Sequence, residues 1–158
     1  MSGDAATPSY AVHGQANAEL PTAVMRARLG YDEVGAWLPS AYRCVYAHLA
    51  ACGIDPAGPP FARYEFGSGG VDVEVGVAVT TAIAGDDDVV PGRVPFGRVA
   101  VTTHVGPYEG LDDAVAAVDQ WILEQGGEPA GPHWEVYLSD PETDEATWQT
   151  EVWRPYIA

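Results

Sequence analysis

Two stretches of this chain, 73 residues apart, read almost alike: CGIDPAGPPFARYEF at 52–66 and QGGEPAGPHWEVYLS at 125–139. The shared core is a glycine, then Pro-Ala-Gly-Pro, then an aromatic run with the look of a strand. Upstream, ARLGYDEVGAWL at 27–38 echoes THVGPYEGLDDAV at 103–115. A repeat constrains a fold more tightly than composition does, because both copies must form the same supersecondary unit and stack their apolar faces together. Each copy reads as strand, glycine turn, helix, Gly-Pro turn, strand, strand.

In the first copy, residues 9–17 and 22–29 are extended candidates. Val34, Trp37, Leu38, Ala41, Val45 and Leu49 recur at helical spacing, predicting a helix over 32–52 that Gly53 and Pro56 stop. Strands follow at 60–66 and 71–80, the second marked by valine at every other position from Val71 to Val79. The acidic stretch AGDDDVVPG (84–92) reads as a linker. The second copy predicts a strand at 96–105, a helix over 111–125 and strands at 133–139 and 148–157. Leu111, Ala114, Val115, Val118, Trp121 and Ile122 form the second helix's stripe. The expected fold is α+β: two pseudo-symmetric strand-helix-strand-strand units forming an antiparallel sheet, with two helices on one face and a central cleft. One domain spans 1–158, with unit one at about 9–83 and unit two at about 93–157. A pseudo-twofold junction of this kind is a common ligand site.

The seven basic residues, all arginine, face 23 acids, for a net charge of −16. Such a field repels nucleic acid phosphates and anionic membranes and draws in cations. No apolar run approaches the roughly 18 residues of a membrane span. The opening MSGDAATPSY lacks the basic and apolar regions of a signal peptide, so the expected location is the cytoplasm. Cys44 and Cys52 lie too far apart along one helix for a disulfide. His13, His48, His104 and His133 show no metal-ligand spacing, so neither a metal nor another cofactor is expected. No nucleophile–base pair or catalytic triad stands out in the sequence.

The segments THVGPYEGLDDA, QWILEQGGEPAGPHWEVYLSDP and WQTEVWRPY resemble the GyrI-like small-molecule-binding domain, with VDVEVGVAV and GRVAVTTHVGPYEGL fitting its middle. The same domain serves as the effector-binding domain of AraC- and MerR-type regulators. With no DNA-binding helices ahead of it, this chain looks like a stand-alone member. The resemblance implies that Glu135 lies inside a central pocket and contacts small aromatic or cationic molecules. Along 133–139, His133, Glu135, Tyr137 and Ser139 share one strand face, and Trp134, Val136 and Leu138 the other. Tyr137 is therefore expected beside Glu135, with Tyr64, its repeat equivalent, as the opposite wall. Tyr108 is expected at the pocket mouth and Trp37 on its wall. Glu151 and Trp153 share a face of the last strand and are expected in the same pocket; Glu74 is a further, weaker candidate.

Three functions compete on this reading. The first is binding of multidrug-like aromatic or cationic molecules. The second, implied by stand-alone relatives, is cofactor-independent hydrolysis of cyclopropane-containing DNA-alkylating compounds, which would protect the cell. Glu135 would then activate water and Tyr137 polarise the substrate. The third is a gyrase-inhibitor-like interaction with DNA gyrase through the acidic surface.

Overall fold

The computed structural model describes residues 10–94, 97–140 and 142–158. Residues 9 and 96, each expected to open a strand, and nearly all of the N-terminal stretch read for a signal lie outside the described residues. The strands are β1 (His13–Asn17), β2 (Pro21–Leu29), β3 (Pro56–Gly67), β4 (Gly70–Val79), β5 (Val90–Arg93), β6 (Gly97–Val105), β7 (Glu128–Pro129), β8 (Trp134–Tyr137) and β9 (Gln149–Ile157). Helix α1 (Val34–Cys52) lies between β2 and β3, and α2 (Leu111–Glu124) follows β6.

All pairings are antiparallel, in the order β1-β6-β9-β8-β3-β4-β2-β5, with β7 added on β9. The order is a palindrome of the two copies, β6-β9-β8 against β3-β4-β2, meeting where β8 pairs with β3. Each copy's leading strand crosses to the other copy: β1 pairs with β6, and β5 with β2. The 84–92 segment is thus not only a linker, since its end enters β5 and closes an edge of the sheet.

Alternation decides which side chains meet the helices. Val71, Val73, Val75, Val77 and Val79 of β4 are at most 2% exposed and pack with Ala23, Ala41, Val45 and Leu49 beneath α1. Full burial of such a side chain stabilises by about 1.5–3 kcal/mol. Helix α2 buries Leu111, Ala114, Val118 and Ile122 on Ala100 and Val152. Trp121 of the same stripe packs edge-on to Tyr156. Gly53 closes α1 at φ +67°, a left-handed backbone that favours glycine, and the Ile54 amide donates to Leu49 O. Cross-strand partners share a face, and Ala62, Glu135 and Val152 are successive partners across β3, β8 and β9. Both helices therefore cover one face, and the gap between them opens over Glu135.

Candidate ligand site

In that gap lies a cavity of about 740 Å³. Val34, Leu38, Tyr42 and Tyr46 of α1 form one wall, and Tyr108, Leu111 and Asp112 at the start of α2 the other. The floor carries Tyr64, Phe66, Val71, Glu135, Tyr137 and Ser139. The described lining includes no arginine, so its charge is carried by carboxylates.

Glu135 is held on two sides. The Tyr137 hydroxyl donates to its Oε1 at 2.7 Å, and His133 Nε2 stands 3.6 Å from its Oε2. Because the Tyr137 proton is committed to Glu135, the Tyr64 hydroxyl, 3.3 Å from that of Tyr137, is the donor of that pair. The chain Tyr64 to Tyr137 to Glu135 delivers donors to a carboxylate whose side chain is only 14% exposed, and hydrogen bonding is what makes a sunken carboxylate tolerable. Burial, and after it the Glu135 charge, pushes the Tyr64 phenol up to about 12. The same two causes in the same order raise Tyr137 well above the usual phenol range and raise Tyr108 as well. Burial also raises Tyr46, and above all Tyr42, whose hydroxyl donates to Phe61 O. The tyrosines are thus locked as neutral donors and π faces around one acid.

Tyr108 overhangs the cavity on a turn anchored from below. Buried His104 lies 2.9 Å through Nε2 from Pro107 O and 2.8 Å through Nδ1 from the Tyr10 hydroxyl. A carbonyl only accepts, so Nε2 carries the proton and Tyr10 donates to Nδ1. The Tyr108 ring then packs on Trp148 at 4.8 Å and Tyr137 at 5.6 Å. A Cβ on Gly110 would stand 2.7 Å from His104 Cε1, so the turn tolerates only glycine there without disturbing the imidazole.

The structure brings Glu135, Tyr137, Tyr64 and Tyr108 to this one cavity and leaves the other expected residues elsewhere. Glu151 and Trp153 pair with Val136 and Trp134, and so point to the opposite sheet face. There they line a separate cavity of about 440 Å³ with Phe61 and Leu138, and Trp153 Nε1 donates to Glu151 at 3.0 Å. Trp37 of α1 is only partly buried, packs against the edge of the core under that helix and is not among the cavity's lining residues. Glu74 is also on the far face, buried against Arg26 at 2.7 Å and Arg63 at 2.9 Å. Tyr42 and Tyr46 were missed, although with Leu38 they make an i, i+4, i+8 row of α1 that flanks the core stripe. Among the described residues, no helix is long and apolar enough to cross a membrane, and no cluster is arranged to hold a metal ion.

The sequence profile of the GyrI-like small molecule binding domain matches residues 18–157. No curated protein sequence matches the chain. Among solved structures, the EcmrR C-terminal domain superposes with a TM-score of 0.80 at 20% identity, over 94% of this chain and 98% of that one. In the EcmrR–DNA complex the likeness has a TM-score of 0.81 at 20% identity and covers 93% of this chain, which spans only 57% of that chain's length. A hydrolase from Listeria innocua matches with a TM-score of 0.70 at 15% identity, over 92% and 91% of the two chains. SAV2435, solved bound to tetraphenylphosphonium, matches with a TM-score of 0.55 at 14% identity, over 95% and 94%. At these identities the structures share the fold with this chain.

Proposed function

The chain belongs to the GyrI-like small-molecule-binding family, and from that premise we propose that it binds flat or multi-ring lipophilic cations in the cavity between α1 and α2, with Glu135 as counter-charge. The observation that carries this is a hydrogen-bonded, largely buried carboxylate at the floor of a cavity walled by tyrosine rings. Cation–π contacts contribute roughly 0.5–2 kcal/mol each, more as the site dries. A diffuse organic cation loses little hydration on entry, whereas a small, strongly hydrated ion loses a great deal. The −16 charge of the chain raises the local concentration of any cation. Support comes also from a neighbour of the same fold solved with tetraphenylphosphonium.

The test compares a cation with a neutral molecule of like shape. Tetraphenylphosphonium should bind at one site per chain, and triphenylphosphine oxide at least about tenfold more weakly. Equal affinities would remove the counter-charge role.

A hydrolytic reading has one observation in its favour. His133, which lines an adjoining groove rather than the cavity itself, reaches Glu135 from behind, and the resulting carboxylate–imidazole pair is able to hold and deprotonate a water. It is tested by incubation with a cyclopropane-bearing dienone, where a ring-opened product that Glu135→Gln no longer makes would support it and no turnover would rule it out.

A further inference from the structure

A second cluster of reactive side chains lies where the last turn of α1 meets the loop before β5. Asp86 is fixed first: its Oδ1 accepts from the Asp88 and Val89 amides, both at 2.8 Å, which turns Oδ2 toward His48 Nδ1 at 3.2 Å. The Val89 amide is the largest influence holding the Asp86 carboxyl below the usual carboxylate range, followed by the Asp88 amide. Val89 is buried in one cluster with Leu49, which ties this loop to the helix. An ionised carboxylate only accepts, so His48 carries its proton on Nδ1 and leaves Nε2 free to accept. Nε2 lies 3.7 Å from Cys52 Sγ, one turn further along α1. Nucleophile, base and orienting acid therefore stand in the order that thiol activation needs. The His48 side chain is 14% exposed while Cys52 is open to solvent, so the base is pinned and the sulfur accessible.

We propose that Cys52 is a nucleophilic thiol, assisted by His48 and oriented by Asp86, that adds to uncharged α,β-unsaturated carbonyl compounds. The reaction class follows from what surrounds the sulfur. The Gly53 and Ile54 amides are spent on Ala50 O and Leu49 O in the helix cap, leaving no adjacent amide pair for a tetrahedral oxyanion. Acyl transfer is thereby disfavoured, whereas conjugate addition puts its charge on a carbonyl remote from the sulfur. The Sγ–H proton passes to His48 Nε2 as the sulfur lone pair forms a bond to the β-carbon. The C=C pair shifts to the carbonyl as an enolate, which then takes the proton back from Nε2; nothing leaves and no oxidant enters. The charged and titratable groups of the two segments are Cys52 and His48 on α1, Asp55 just after it, and Asp86, Asp87 and Asp88 on the loop. Asp86 sits directly behind His48, Asp87 and Asp88 follow it on the same loop and Asp55 comes three residues after Cys52, so the local field is negative and disfavours anionic reagents, which is why the substrate is uncharged.

Cys44, exposed on the same helix with no imidazole partner shown, is the internal reference. The intact chain is treated with limiting N-ethylmaleimide, and adducts at each cysteine are timed by peptide mass spectrometry. Cys52 should react about tenfold faster than Cys44 or more. His48→Gln, which keeps a polar group but cannot take the proton, should bring Cys52 to the rate of Cys44 while Cys44 itself is unchanged. Asp86→Asn keeps an oxygen for the two loop amides yet presents an NH₂ to His48 Nδ1. It should shift His48 to the Nε2–H tautomer, visible in the ¹⁵N shifts of the ring, and abolish the advantage equally. A maleimide bearing a sulfonate should show no preference for Cys52. Equal rates in the unaltered chain, a preference surviving either substitution, or equal preference for the sulfonated reagent would overturn the proposal. The site is separate from the cavity, so this outcome is independent of whether the cavity binds cations.

Discussion

Ala62 and Glu135 are register partners across β3 and β8, and they are also one position in the two copies of the repeat. The pseudo-twofold axis therefore passes between them, and the acid is present on one side only. Tyr64 and Tyr137 are likewise one position in the two copies, though on different rungs of the strand pair, and their hydroxyls meet at 3.3 Å. The scaffold is symmetric while its charge is not, which gives a ligand one preferred orientation. Ala62→Glu would restore the symmetry at a cost. Ala62 is fully buried, so a second carboxylate would face the first across the strand pair. A loss of about 2–4 kcal/mol is expected, lowering the thermal midpoint by roughly 2–4 °C per kcal/mol, and acid should restore part of it.

The tyrosine shifts predict an alkaline limit. In the unfolded chain these phenols ionise near 10, while folded Tyr64 holds its proton to about 12 and Tyr137 beyond the usual range. Pocket tyrosines thus contribute stability that is complete below pH 10 and is lost as pH rises toward about 12, because the unfolded state releases protons the native state keeps. Phenolate absorbance should grow together with loss of the far-ultraviolet helix signal. In Glu135→Gln, Tyr64 should ionise at lower pH than in the unaltered chain but still above 10, since burial, the larger cause, remains.

Gly110→Ala tests whether the buried imidazole positions Tyr108. The new methyl would displace His104 from its bonds to Pro107 and Tyr10. Overpacking of this kind costs about 1–3 kcal/mol. Calorimetry should show a lower thermal midpoint, and ligand titration a several-fold weaker affinity as Tyr108 leaves the cavity mouth. Unchanged affinity would make Tyr108 a bystander.

The far sheet face should behave oppositely. Glu74→Gln removes the charge between Arg26 and Arg63, of which Arg63 also lies over the Trp134 ring at 5.7 Å. A destabilisation of about 2–4 kcal/mol is expected, moderated because Arg26 is half exposed. Neither Glu74→Gln nor Trp153→Phe should alter affinity for a ligand held beside Glu135.

Much of the fold was legible because the repeat and the two periodicities agree. The α1 stripe, the valine alternation of β4 and the stop at Gly53 each identify one element, and finding the helical stripe and the Pro-Ala-Gly-Pro strand entry a second time identifies the units. The exchange of β1 and β5 between copies was not legible, since pairing of leading strands across a pseudo-twofold leaves no local signature. In the site, period two placed Glu135 with Tyr137 and away from Trp134. It also paired Glu151 with Trp153, but the face they share follows from the β8–β9 register, which sequence spacing does not carry. The Cys52–His48 contact was readable as i, i+4 on a helix, whereas Asp86 arrives from a loop 38 residues beyond His48.

The central claim is that the Glu135 charge selects the ligand. Calorimetric titration of tetraphenylphosphonium into the chain and into Glu135→Gln tests it most directly, because glutamine keeps the size and an acceptor for Tyr137 while removing only the charge. The account predicts at least about a tenfold loss of affinity, or ~1.4 kcal/mol, with the fold intact by circular dichroism. An affinity unchanged by the substitution would contradict it.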